Sequence, residues 1–229
     1  MSRSGFLFPI LLAAFATSLG FTVLVPHAQL GALTPDFKEE EGLITEVYPS
    51  VPGGLAEVGR QVYVSEGCQT CHTQVVRGGD SADVDRGWGQ RRTVARDYVM
   101  ETVPVLGSSR LGPDLSNIGS EKWRNEPADD PYKPSKRDAS WHLKHLYNPA
   151  AMDEESIMPA YAHLFAVRKI TGTPSPDAIE LPKAKTVPAG YEVVPTPEAK
   201  ALVAYLGSLD RSHPLKEAGK ATAATTPKK

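Results

Sequence analysis

The sequence predicts an all-α protein that consists of one membrane-spanning helix followed by one globular domain. An uncharged apolar run occupies residues 5–25, and apolar side chains recur at helical spacing in residues 53–67 and 197–209. Strand-like alternation long enough to predict a sheet is not evident. Hydrophobic residues make up 41% of the chain and charged residues 23%, which is typical of a folded protein and excludes a wholly disordered one.

The apolar run at residues 5–25 is long enough to cross a bilayer. As a helix it would rise roughly 31 Å at about 1.5 Å per residue, against a hydrocarbon core of about 30 Å. The alternative is a cleaved signal peptide, because Ala14-Phe15-Ala16 resembles a small-x-small cleavage site. Cleavage there would leave the apolar residues 17–25 on the mature chain. We therefore favour a retained transmembrane anchor.

Charge on either side of the anchor predicts its orientation. Arg3 precedes it, whereas the following segment is acidic, with Glu39, Glu40, Glu41 and Glu46. The positive-inside rule then places the N-terminus in the cytoplasm. We expect a single-pass protein of a bacterial inner membrane with its domain in the periplasm.

Composition and helical spacing divide the exported part of the chain. Residues 26–52 carry several prolines and little periodicity, which predicts an extended linker. Residues 53–212 form the predicted domain, with a third helical pattern at residues 139–147. Residues 213–229, rich in Ala, Thr, Lys and Pro, predict a disordered tail. The formal net charge of −2 gives no case for nucleic-acid binding.

The chemistry of the sequence is concentrated in Cys68-Gln69-Thr70-Cys71-His72, which contains both cysteines of the chain. Two thiols one helical turn apart can bond the two vinyl groups of a porphyrin, and the adjacent imidazole can bind the iron; this spacing is typical of c-type haem attachment. A thioredoxin-like dithiol would require a βαβ pattern, and a zinc site would require a second Cys or His pair at ligand spacing. The sequence shows neither of these patterns. We therefore predict one covalently bound haem c, held by Cys68, Cys71 and His72.

A second axial ligand would make this haem an electron carrier, and an open position would make it a catalyst or gas sensor. Met158 is the leading candidate, because Pro159 follows it and can fix the loop. Met152 lies in an acidic stretch that suits a solvated turn. Met100 looks like a core residue of a short helix.

Three histidines remain as competing axial ligands. They are His142, His145 and His163. The simpler interpretation is that they are partly buried or surface residues without a ligand role.

The segment around Gly112 and Pro113 suggests support for His72. Gly112 allows close approach, and Pro113, which has no N–H, leaves a carbonyl free to accept a hydrogen bond from the second imidazole nitrogen. The alternative is an ordinary turn before a short helix. Arg110 is a candidate partner for the haem propionates. Arg91 and Arg92 are alternatives for that role, and any of the three can equally be solvated.

With these motifs the chain resembles subunit II of the cbb3-type cytochrome c oxidases, a mono-haem subunit with a single anchor. The resemblance covers nearly everything before the tail. It rests on the anchor and on EGCQTCHTQVVR at residues 66–77, RLGPDL at 110–115, SWHLKHLYNP at 140–149 and SIMPAY at 156–161.

The resemblance implies a class I cytochrome c domain in which His72 and Met158 are axial ligands and Pro113 is the carbonyl acceptor behind His72. It also implies a non-catalytic subunit that relays electrons to a catalytic haem–copper subunit, with a further cytochrome c subunit or donor as second partner. The alternatives are a free-standing anchored electron shuttle and, less favoured, a haem-based sensor with an open sixth position.

Overall fold

The computed structural model describes residues 4–78, 83–84, 86–121, 137–181 and 187–219. These residues belong to two compact units. The first comprises Met1–Ser50 and Val94–Thr102, and the second comprises Val51–Thr93 and Val103–Lys229.

The first unit begins with a long apolar helix. It consists of α1 (Ser4–Leu19), a π-helical turn (Gly20–Leu24) and α2 (Val25–Leu30). Within the described residues, Gly5–Leu30 is the one helix whose length and composition suit a membrane span. Its mean hydropathy is 2.1, and none of its apolar window is buried. The predicted anchor therefore extends beyond residue 25 to Leu30.

A β-hairpin follows this helix. Strand β1 (Asp36–Glu40) pairs antiparallel with β2 (Leu43–Tyr48). Glu41 and Gly42 connect them with φ angles of 53° and 79°, the left-handed conformation that two-residue hairpin turns require. Residues 26–52, predicted as an extended linker, thus contain a helical segment and a hairpin.

The rest of the first unit anchors one end of this hairpin. The buried Tyr48 hydroxyl donates a 2.6 Å hydrogen bond to Asp97 Oδ1, and the Val94 N–H donates to Asp97 Oδ2 at 2.7 Å. Asp97 belongs to the 3₁₀ helix Ala95–Tyr98. Met100, which follows, is 44% exposed, so its predicted place in a core is wrong.

The core of the second unit forms where two helices cross. Helix α3 (Leu55–Ser65) packs on α6 (Pro197–Ser208), and both match the helices predicted from the sequence. A Cβ built on Gly59 would lie 1.8 Å from the backbone oxygen of Ala201, so the contact requires glycine at this position. α3 delivers the chain directly to Cys68.

Two further helices complete the helical part of the second unit. Helix α4 (Ala139–Tyr147) begins at Asp138, whose side chain accepts a hydrogen bond from the Trp141 N–H at 2.9 Å. The predicted third helix is therefore confirmed. Helix α5 (Pro149–Met152) follows directly.

The second unit also contains a small sheet that the sequence analysis did not predict. Strand β3 (Phe165–Lys169) pairs antiparallel with β4 (Tyr191–Pro195), and Phe165 and Val193 of these strands belong to the core. With the hairpin of the first unit, the described residues contain two two-stranded sheets. The all-α prediction is therefore not confirmed, although helices build the core contact.

The described chain remains packed beyond residue 212. Leu215 and Ala218 are buried, and Lys216–Ala218 form a 3₁₀ turn. The start of the predicted tail at residue 213 thus falls within a packed segment. Residues 220–229 of that predicted tail lie outside the described residues.

Candidate functional site

The two thiols lie in a tight turn directly after α3. Gly67, with a φ of 71°, ends the helix, and Cys68–Thr70 form a 3₁₀ turn in which the His72 N–H donates to the Cys68 carbonyl at 3.0 Å. Neither cysteine forms a disulfide. Burial, followed by the charge of Glu66, raises the pKa of the Cys68 thiol to about 11. The turn thus holds the two cysteines three positions apart, directly before His72.

His72 is fixed by its surroundings. Its Nδ1 lies 2.8 Å from the Pro113 carbonyl oxygen, so the ring donates a proton there. Burial lowers the pKa of His72, although Pro113 and the charge of Asp114 oppose this. A neutral ring that is protonated at Nδ1 presents the lone pair of Nε2, which has no hydrogen-bond partner among the described residues. His72 therefore has the tautomer that leaves Nε2 available to bind a metal ion.

Gly112 lies directly against this ring. Its N–H donates to the Cys71 carbonyl at 3.0 Å, and a Cβ built on it would lie 2.2 Å from His72 Cε1. The glycine at this position is therefore required by the close approach of the imidazole. The structure thus brings Gly112 and Pro113 to His72, where the sequence left an ordinary turn as the alternative.

Asp114 connects the Gly112–Pro113 segment to the chain after His72, a role that the sequence analysis missed. Its carboxylate accepts hydrogen bonds from Thr73 Oγ1 at 2.6 Å, from the Val75 N–H at 2.7 Å and from the Ser116 N–H at 2.9 Å. All three of the bonded residues are buried or half-buried. The only sequence signal is an aspartate after a proline, which is also typical of ordinary turns.

Arg110 pairs with a buried carboxylate of the chain. Its Nη1 lies 2.6 Å from both carboxylate oxygens of Asp83, a residue with no exposed surface, and Arg77 binds the same carboxylate at 2.9 Å. Burial opposes ionisation of Asp83, but the bonds from Arg77 and Arg110 outweigh it and lower its pKa to about 2. Arg110 therefore has a buried protein partner, and its predicted bond to a propionate stays a prediction.

Arg91 and Arg92, the alternative partners for a propionate, also bind groups of the chain itself. Arg91 Nε donates to the His213 carbonyl at 2.7 Å, and Arg92 Nη2 donates to the Glu217 carbonyl at 2.8 Å. Both therefore hold the segment after residue 212.

Met158 lies on a mostly exposed loop after α5, but is itself half-buried and packs against the core. Two contacts bring this loop to the cysteine motif. The Tyr161 side chain lies beside the Cys68 thiol, and His163 Nε2 lies 2.8 Å from Glu66 Oε2. The methionine loop and the motif are therefore neighbours in the fold.

The three competing histidines have different environments. His142 is buried, whereas His163 is exposed and contacts the Glu66 carboxylate. The His145 ring stacks on Trp141 at 4.6 Å between centroids, and its buried Nδ1 has no hydrogen-bond partner among the residues that the structure describes. Burial, together with the charge of Arg137, lowers the pKa of both His142 and His145 to about 4. Both rings are therefore neutral.

These residues fit a haem. Two thiols one turn apart match its vinyl groups, and the Nε2 lone pair of His72 matches its iron. The buried His145 Nδ1 is a polar atom that lacks a hydrogen-bond partner in the described part of the chain. Fold and site together define a protein of the haem-binding cytochrome class.

Comparison with known families agrees with this class. The family described as cytochrome C oxidase, mono-heme subunit/FixO matches residues 12–192. No curated protein matches the chain. The chain belongs to this family of mono-haem oxidase subunits, which is consistent with cbb3-type subunit II. It is therefore a haem protein and a subunit of a cytochrome oxidase complex, with one helix that could span a membrane.

Proposed function

We propose that this subunit relays electrons, through one covalently bound haem c, to the catalytic haem–copper subunit of a cbb3-type oxidase. The observation that carries the proposal is the fixed, neutral imidazole of His72 directly after Cys68 and Cys71, in a chain that belongs to a family of mono-haem oxidase subunits. The bound haem would supply a one-electron couple. The residues of the chain would hold it and set its environment.

The thiols and the imidazole have separate roles in this proposal. Cys68 and Cys71 would form thioethers with the two vinyl groups, and His72 Nε2 would be one axial ligand. The bond from Nδ1 to Pro113 holds the ring in one orientation and increases the basicity of Nε2, the nitrogen that would bind the iron.

Met158 would supply the second axial ligand through its thioether sulfur. A thioether favours the ferrous state and raises the reduction potential. The Tyr161 contact with Cys68 keeps this loop beside the motif. With both axial positions occupied, the haem would pass electrons and would not bind oxygen itself.

The proposed setting is a bacterial inner membrane. Gly5–Leu30 would cross it once, with the second unit in the periplasm, since positive charge precedes the helix and acidic charge follows it. The partners would be the catalytic subunit and a further cytochrome c subunit or donor.

Purification from membranes tests this function. A tagged chain extracted in mild detergent should carry the polytopic catalytic subunit with it, and its haem should be reoxidised by oxygen within that complex. A chain that comes out alone, with a haem that oxygen does not reoxidise, would indicate the free-standing shuttle. Carbon monoxide binding to the unmodified ferrous protein would indicate the sensor.

A further inference from the structure

The β1–β2 hairpin exposes almost all of its surface. Every residue from Asp36 to Val47 is exposed, and Tyr48, which bonds Asp97, is the first buried one. Two-stranded hairpins are at best marginally stable in water, and three strands or packing on another element are normally required. The hairpin therefore lacks, within the described residues, the covering surface that such a sheet requires.

One face of the hairpin carries three apolar side chains and one glutamate. Phe37 and Val47 are directly opposite each other in the register. Glu39, two residues after Phe37, lies on the same face, and so does its cross-strand partner Ile44. The register shift within the hairpin offsets the odd spacing of Ile44 and Val47 along β2. The exposed fractions of Phe37, Val47 and Ile44 are 51%, 41% and 62%. Leu43 pairs with Glu40 on the other face. A cluster of three exposed apolar side chains on a short sheet is typical of an interaction surface.

The hairpin also lies close to the membrane along the chain. Leu30 ends the apolar helix and Asp36 begins β1, so the intervening backbone can span at most about 20 Å. The partner of the apolar face must therefore be available near the membrane surface.

The charge of the hairpin favours a protein over a lipid surface as its docking partner. Carboxylates outnumber lysines in residues 36–48, and Lys38 already pairs with Glu40 at 3.0 Å. Glu39 and Glu41 have no ion-pair partner among the described residues. Anionic lipid headgroups attract lysine and arginine and repel such a segment, and a second copy of the hairpin would be repelled in the same way.

We propose that Phe37, Ile44 and Val47 dock on the extramembrane surface of the membrane-embedded catalytic subunit, at an apolar patch bordered by basic residues. This proposal rests on the proposed function, because it names the contact surface of the same complex. The basic border would pair with Glu39 and Glu41. The hairpin would thus add a second contact to the one made by the membrane helix.

A matched pair of substitutions tests this docking in the full-length chain. Ile44→Thr and Leu43→Thr remove similar apolar volume from neighbouring, exposed positions on opposite faces, and threonine retains a preference for strands. Ile44→Thr should lower the amount of catalytic subunit that co-purifies in mild detergent by about tenfold, the usual effect of a central contact. Leu43→Thr should leave it unchanged. Equal recovery with both variants would overturn the proposal.

A second measurement controls for the possibility that a substitution unfolds the hairpin. A photo-crosslinking amino acid at position 44 should capture the catalytic subunit, identified by mass spectrometry, whereas the same residue at position 43 should not. Capture of another copy of this chain at position 44, or Ile44-dependent binding to phosphatidylcholine or phosphatidylglycerol vesicles, would assign the face to self-association or lipid and contradict the proposal. If even the unmodified chain carries no catalytic subunit, the proposed function itself fails, and the two failures are thereby distinguished.

Discussion

His72 is held by a hydrogen bond, a glycine contact and burial, whereas Met158 lies on a loop with few fixed contacts. The Met158 N–H has one bond, to Ser156 Oγ at 3.4 Å, and its neighbour Ile157 is 77% exposed. Protein contacts alone therefore build the histidine side of the candidate site. The methionine side, in our proposal, is completed when its sulfur binds the iron. Substitutions on the two sides of the site should therefore have different effects.

The largest effect should come from the thiols. Replacing both Cys68 and Cys71 with alanine should abolish covalent haem, because the chain contains no other cysteine. Either single variant should retain at most one thioether. Haem-stained denaturing gels measure this, and a stained band from the double variant would refute covalent attachment at these positions.

The histidine side should tolerate no added volume. Gly112→Ala would place a Cβ 2.2 Å from His72 Cε1, which forces the ring or the backbone to move. We expect most of the bound haem to be lost, together with about 1–3 kcal/mol of the free energy of unfolding. Haem absorbance per protein and denaturant unfolding measure the two effects.

Gly53→Ala is the matched control, because nothing lies within 4 Å of a Cβ at that position. It should retain normal haem content. A Gly112→Ala protein with the same haem content as this control would show that the imidazole contact is not required.

The methionine side should retain haem but change its properties. Met158→Ala should leave the thioethers intact, admit carbon monoxide and lower the midpoint potential by a sizeable part of the roughly 0.8 V that axial ligands can span. Redox titration and the carbon monoxide difference spectrum measure these changes. Met152→Ala is the control, and a lowered potential in that variant instead would identify a different methionine as the ligand.

Acid stability should depend on the buried Asp83. The pKa of Asp83 is about 2 in the folded protein, below the value of about 3.9 expected in the unfolded chain. Its contribution to stability is therefore fully present above about pH 3.9 and is lost as the pH falls towards 2. In Asp83→Asn the free energy of unfolding should fall less over this pH range than in the unmodified protein. Denaturant unfolding at several pH values measures it, and identical slopes would contradict the assignment.

The smallest effect should come from the exposed contact between the methionine loop and the motif. His163 is mostly exposed, so its ion pair with Glu66 contributes at most about 1 kcal/mol. His163→Gln should therefore leave the haem content and the midpoint potential nearly unchanged. A large shift of the potential would show that this contact, and not the iron–sulfur bond, positions Met158.

The sequence predicted the parts of the fold that depend on local patterns. Apolar spacing located α3, α4 and α6, and the residue types around Gly112 and Pro113 indicated a contact with His72 that the structure places at 2.8 Å. These features depend on residue type and on helix periodicity, both of which a single sequence displays.

The parts that were missed depend on distant partners. Strands β3 and β4 lie more than twenty residues apart, and the three consecutive glutamates and the register shift in the first hairpin obscure its alternation. The valines of β4 and the glycine of the Glu41-Gly42 turn were the available signals. Likewise, no local pattern pairs Arg110 with Asp83, and the sequence therefore left Arg110 free for a propionate.

The most direct test of the central claim is the mass of the intact chain under denaturing conditions after treatment with a thiol-alkylating reagent. We predict the mass of the polypeptide plus one haem, with no alkylation at Cys68 or Cys71, because the proposed attachment would convert both thiols to thioethers. The mass of the polypeptide with two alkylated cysteines and no haem would contradict the account.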